Sequence, residues 1–285
     1  MRSYKLSMRR AKRRNRNTHR RIGRKRGGNL KDITMYILCW KSPRTIKNTL
    51  ESYKKRNLIK HLNVVMYFQE RDDKSDALAA EYGIPTVMGT NDNIGILHAF
   101  IHMIKATTTP YFILSECDFE LVEDEKSVSD VLSDAMKLIR EKNVKLVKLR
   151  HRKYPGDPLT SMFGKSKDHK FEENYRYKLE TLHLLDSPEK AFPNSFTIVD
   201  KPEYNRRWYI CNFNDNAWSN NVFIADTKWM KDVIVPVLET NLKTLGGNVD
   251  FNKLHGAESI LTTSILNEYL LAAGDGLFTH NRLNR

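Results

Sequence analysis

From residue 33 onward, apolar runs of strand length alternate with stretches of helical periodicity, and that alternation points to an α/β fold. Ile33–Trp40 (ITMYILCW) is a near-continuous apolar run, as a strand covered on both faces requires. Ser42-Pro43 then offers an N-cap with proline at the first helical position, and Ile46, Leu50 and Tyr53 recur at helical spacing. Leu62–Phe68 (LNVVMYF) reads as a second strand, Asp76–Tyr82 as a short helix closed by Gly83, and Ile84–Met88 as a third strand. Asn93 is placed to cap a helix striped by Ile94, Leu97, Ile101 and Ile104. Tyr111–Ser115 (YFILS) follows as a strand, then a helix over 125–142 and a strand at Val144–Leu149. Strands separated by helices argue for βαβ units and a mostly parallel central sheet flanked by helices. In such sheets ligands bind beyond the carboxyl ends of the strands.

The second half is less regular. Residues 151–205 are polar and read as an insertion over the site, and Arg207–Phe213 and Asn221–Ile224 read as strands. Helices are expected at Trp229–Thr240, despite Pro236, and at Glu258–Ala273, before a last strand, Gly276–His280.

Charge divides the chain unevenly. Residues 1–28 hold thirteen Lys or Arg and no acid, so 48 − 13 leaves 35 basic against 34 acidic residues in the remainder. The formal charge of +14 therefore resides almost wholly in this leader, expected to be a disordered tail. Such a tail suits an anionic partner (nucleic acid, a membrane surface or an acidic protein), a nuclear or nucleolar address, or a solubilising role with loose electrostatic contacts. It lacks the apolar stretch of a signal peptide, and no segment reaches the ~20 apolar residues of a membrane span. Cys39, Cys117 and Cys211 lie far apart and are odd in number. They suit reduced thiols in a cytoplasmic, reducing compartment.

At the end of the fourth strand, Glu116 and Asp118 flank Cys117. Residues i and i+2 of an extended segment point to one side, so both carboxylates can address one hard cation. A divalent ion there, Mn2+ or Mg2+, would neutralise charge on a leaving diphosphate. Taken alone, two acids in a loop after a strand are more often solvated surface than metal ligands.

The stretch Asn91-Asp92-Asn93-Ile94-Gly95, followed by Tyr111–Ser115 and Glu116-Cys117-Asp118, resembles the centre of GT-A glycosyltransferases, especially glycosyltransferase family 2. Trp218-Ser219-Asn220-Asn221, Gly256-Ala257-Glu258-Ser259 and Gly276–His280 resemble later motifs of such enzymes in the same order. The basic leader resembles those of proteins from large DNA viruses. The resemblance implies a GT-A, Rossmann-like domain over 29–285, with 29–150 binding the nucleotide sugar and 151–285 serving the acceptor. It implies transfer, with inversion favoured, from a UDP- or GDP-sugar to a glycan, protein or small-molecule hydroxyl.

By the same resemblance Asp118 is the metal ligand, with Glu116 on a metal-bound water or the ribose, and His280 completing the site. Glu258, at a helix start, is the proposed base, although Ser259 stands where the family often has the aspartate assigned that role. Trp40, Arg44 and Glu70 fall where the family holds base and ribose. Asn93 starts the helix facing the diphosphate, and Asn220 and Asn221 are candidates for sugar hydroxyls. Two other classes compete. A nucleic-acid-binding protein would explain the tail, but the remainder is nearly neutral. A sugar-phosphate nucleotidyltransferase would share the fold class, but the first strand leads into no glycine-rich loop.

Overall fold

The computed structural model describes residues 28–157, 178–215, 218–244, 260–261 and 266–283. Ten strands form one sheet in the order β3-β2-β1-β4-β9-β6-β10-β8-β7, with β5 paired to β10. The first four are β1 (Ile33–Cys39), β2 (Asn63–Gln69), β3 (Thr86–Thr90) and β4 (Tyr111–Glu116). They pair in parallel. The short β5 (Phe119–Leu121) follows, then β6 (Val144–Arg150), β7 (Thr197–Val199), β8 (Trp208–Asn212), β9 (Phe223–Asp226) and β10 (Leu270–His280). The pairings leave β5, β8 and β9 running against the other strands. The sheet is thus mostly parallel, as expected.

The sequence of β1 shows why helices cover both faces. All seven of its residues are buried. Ile33, Met35, Ile37 and Cys39 join Ile46, Leu50 and Tyr53 of α1 (Pro43–Lys55) and Val128, Val131 and Leu132 of α5 (Glu125–Lys142) in one core. Tyr36 and Leu38, on the opposite side of the pleat, join Leu97, Phe100, Ile101 and Ile104 of α4 (Gly95–Ala106) in a second. The remaining early helices are α2 (Leu58–His61) and α3 (Asp73–Glu81).

Several boundaries differ from the sequence reading. The third strand sits two residues later than expected, at Thr86–Thr90, and α3 starts three residues earlier, where Asp72 and Ser75 form a capping box. The expected helix Glu258–Ala273 is corrected at its end: Leu270–Ala273 belong to β10. These residues lie between β6 and β8. Their unbroken apolar run suits two-sided burial, and periodicity alone does not separate that from a buried helix. The helix expected across Pro236 forms, with a π-turn at Met230–Ile234 just before it, and Val235 N–H donates to the Met230 carbonyl. Proline has no N–H to return to the ladder, and the wider turn absorbs that loss. Among the described residues, no helix is long and apolar enough to cross a membrane.

Candidate functional site

The carboxyl ends of β1, β2 and β4 share one edge of the sheet, and the acidic loop sits there. Cys117 and Asp118 form a tight turn between β4 and β5, and Cys117 N–H donates to the Leu38 carbonyl at 3.0 Å. This turn removes the basis for placing Glu116 and Asp118 on one side of an extended segment, because the i, i+2 rule needs a strand through both. Glu116 ends β4 half-buried, whereas Asp118 is 1% exposed.

A polar stripe on α1 holds the loop. Thr45, Asn48, Thr49 and Ser52 fall on one helical face. Thr49 Oγ1 donates to the Cys117 carbonyl at 2.7 Å, and Ser52 Oγ accepts from Leu121 N–H at 2.9 Å. Asn48 donates to the Glu120 carboxylate, and the Tyr53 hydroxyl donates to the Phe119 carbonyl at 2.8 Å.

Antiparallel pairing of β5 with β10 then sets His280 opposite Phe119. His280 Nε2 reaches Asp118 Oδ2 at 3.2 Å, and Arg282 Nε donates to the same oxygen at 3.1 Å. Asp118 Oδ1 is buried without a hydrogen-bond partner. Burial pushes the Asp118 carboxyl up, but the hydrogen bond and charge of His280 and the charge of Arg282 outweigh it, leaving the group below its ordinary value. The Asp118 contact in turn raises the His280 imidazole, against the opposing effect of burial. On the far side of the ring, Nδ1 meets the Asp157 carbonyl. A carbonyl can only accept, so Nδ1 carries a proton and Nε2 is the nitrogen left for a ligand in the neutral ring.

Arg150, at the end of β6, fixes the loop that backs His280. Its guanidinium donates to the carbonyls of Pro155 (2.6 Å), Gly156 (3.1 Å) and Asp157 (2.9 Å), and to Asn221 Oδ1 at 3.0 Å. Gly156 bridges to His280, and a Cβ there would stand 2.0 Å from the His280 carbonyl oxygen. Only glycine fits, at φ +72.

A cleft of about 330 Å³ opens where β1 and β2 end, lined in part by Lys41, Phe68, Gln69, Glu70 and Ser75. Lys41, Ser42 and Glu70 here all have positive φ, an uncommon conformation for residues with side chains. The Lys41 ammonium lies 3.3 Å from Glu70 and 4.9 Å from the centre of the Trp40 ring.

The structure thus brings Asp118 and His280 together and places Glu70 in a separate cleft, with Trp40 half-buried beside it and Arg44 exposed. Asn93 Oδ1 accepts from Gly95 N–H at 2.9 Å, so it caps α4 from one position further out than a standard N-cap. Asn221 is engaged by Arg150 and Ser219, and Asn220 Oδ1 accepts from Trp218 Nε1 at 3.3 Å. Glu258 lies outside the described residues. Among the described residues no group of three or more His, Cys, Asp or Glu side chains converges to hold a metal. Sequence reasoning missed Arg150, Arg282 and the polar stripe of α1. Arg150 ends a strand at the ligand-binding edge, a signal that was present; Arg282 carried only its nearness to His280.

No protein-family model and no curated protein sequence matches this chain. Similar solved structures include a mannosyltransferase, PcManGT from Pyrobaculum calidifontis in complex with GDP-Man and Mn2+. It is 16% identical over 42% of this chain and 36% of that one, with a TM-score of 0.35. S. aureus TarS 1–349 is 10% identical over 87% of this chain and 60% of its own, with a TM-score of 0.49. The same TarS fragment in complex with UDP has a TM-score of 0.49, with 59% of it covered. This chain spans less than two thirds of each.

Proposed function

We propose that this protein is a GT-A glycosyltransferase that moves a sugar from a UDP- or GDP-sugar to an acceptor hydroxyl. The observation that carries the reading is the buried Asp118 carboxylate, with one oxygen facing His280 Nε2 and the other unpartnered, at the carboxyl edge of parallel strands. These residues fit a divalent cation. Asp118 Oδ2 and His280 Nε2 face each other at 3.2 Å, so these two side chains would hold the ion together. The Nδ1 proton on the Asp157 carbonyl is the outer contact that orients a ligating histidine. With two such side chains among the described residues, the remaining positions would fall to phosphate oxygens and water, as hard cations in nucleotide sites accept.

A bound Mn2+ or Mg2+ would supply charge neutralisation for the leaving nucleoside diphosphate. The chain's own residues do the rest. Asp118 and His280 hold the reacting end of the donor, and Glu116 orients ribose or a bound water. The cleft containing Glu70, with Trp40 and Arg44 near it, takes the base and ribose. Asn93, which caps Gly95 N–H, sets the start of α4 toward the diphosphate, Asn220 and Asn221 line the sugar side, and Glu258 takes the acceptor proton with inversion at the sugar.

Calorimetry on the chain lacking residues 1–28, with UDP and GDP in the presence and absence of Mn2+, tests this reading. One nucleotide should bind and do so more tightly with Mn2+, and Asp118→Asn should remove the Mn2+ effect without unfolding the protein. If neither nucleotide binds, the transferase reading is wrong.

A further inference from the structure

Arg282 occupies a place that the proposed function leaves unexplained. It follows β10 in a short segment with three ties to the acidic loop and α1. Asn281 N–H donates to the Asp118 carbonyl at 2.7 Å, Asn281 Nδ2 donates to Glu120 Oε1 at 2.5 Å, and Thr45 Oγ1 donates to the Leu283 carbonyl at 2.9 Å. None of these ties uses the Arg282 side chain. The backbone can therefore stay in place whether or not the guanidinium does.

That guanidinium is 51% exposed at its side chain, yet its Nε donates to the Oδ2 of a carboxylate that is almost wholly buried. A buried carboxylate needs a counter-charge. Two side chains meet Asp118 Oδ2: His280, which balances its charge only when protonated, and Arg282, which is charged at any pH. A cation held by Asp118 and His280 would compete with the guanidinium for the charge of the Asp118 carboxylate. It would also bring a second positive charge against the guanidinium.

We propose that Arg282 is a resident counter-ion of the cation site. It compensates Asp118 while the site carries no metal and swings out to solvent when a divalent ion binds. This rests on the reading of Asp118 and His280 as metal ligands. Arg282 is here a positioning residue: it sets the threshold for loading the site and keeps the acidic turn in shape between turnovers.

The test is Mn2+ titration of the full chain without nucleotide, followed by the paramagnetic resonance of free Mn2+, for the native protein, Arg282→Gln, Arg282→Lys and Asp118→Asn. Arg282→Gln should bind Mn2+ about tenfold more tightly, since a charge-assisted hydrogen bond no longer has to be broken. Arg282→Lys should stay near the native affinity, because the charge remains. Without metal, Arg282→Gln should melt at a lower temperature than the native chain, and saturating Mn2+ should close that gap. Equal Mn2+ affinity in the native chain and Arg282→Gln, with binding lost in Asp118→Asn, overturns the counter-ion role and leaves the proposed function standing. Weaker binding in Arg282→Gln overturns it too, because the guanidinium would then be supporting the metal. Failure of every form to bind Mn2+ overturns the counter-ion proposal, while the proposed function still stands or falls on the Mn2+ dependence of nucleotide binding.

Discussion

At the scale of single residues, the site depends on groups that hold Asp118 in its turn as much as on Asp118 itself. Thr49 shows this: its side chain is buried and its hydroxyl meets the carbonyl of the residue before Asp118. Thr49→Val keeps the shape and removes the donor, so it should cost about 1 kcal/mol, read as a lower urea midpoint at unchanged slope. Gly156→Ala should be more damaging than its size suggests, because its Cβ meets the His280 backbone and φ is positive. It should lower both the melting temperature and Mn2+ affinity, whereas an alanine at the open position Gly83 should affect melting alone. Asp118 was legible in the sequence because a carboxylate at the end of a buried strand lies at the ligand-binding edge. The stripe Thr45, Asn48, Thr49 and Ser52 was not: a helical wheel marks such residues as polar and does not distinguish solvent from a neighbouring loop.

At the scale of elements, the short helical turn Lys178–His183 is tied to β6 by a nearly buried ion pair, Lys148 with Glu180, and His183 lies 3.4 Å from the same carboxylate. Burial pushes Glu180 up, but Lys148 and His183 outweigh it and hold the carboxyl well below its ordinary value. A depressed carboxylate contributes stability that is present above its unfolded pKa of about 4.3 and is lost as pH falls from there toward the folded value. Glu180→Gln should therefore cost roughly 3 kcal/mol near neutrality, since it removes the carboxylate that balances Lys148 in a nearly buried pair. The difference from the native chain should shrink as denaturation is repeated from pH 6 down to pH 3; a constant difference would show that the pair carries no pH-dependent stability. The early strands and α5 could be read from periodicity because each is covered by helices built from neighbouring sequence. β10 could not be fully read, since the strands that pair with its two edges, β6 and β8, come from distant parts of the chain.

At the scale of the whole molecule, the excess charge and the sheet belong to different parts of the sequence. Removing residues 1–28 takes the formal charge from +14 to +1. Retention on an RNA or heparin column should then fall sharply and lose most of its salt dependence, while Mn2+ and nucleotide binding stay unchanged. Retention that survives the deletion would place an anion-binding surface on the remainder. The alternation of strands and helices made the parallel half of the sheet readable, whereas the insertion of antiparallel β9 between β4 and β6 left no local trace. The pairing of β5 with β10 joins Asp118 to a partner 164 residues further along the chain. During synthesis the parallel strands and the acidic turn emerge long before the residues that neutralise and enclose them. Until β10 docks, that carboxylate has neither histidine nor guanidinium beside it and faces water. On the proposed function, cation binding at this point would be a property of the finished sheet, and the onset of Mn2+ affinity during refolding should coincide with the last long-range step, not with the early formation of helices.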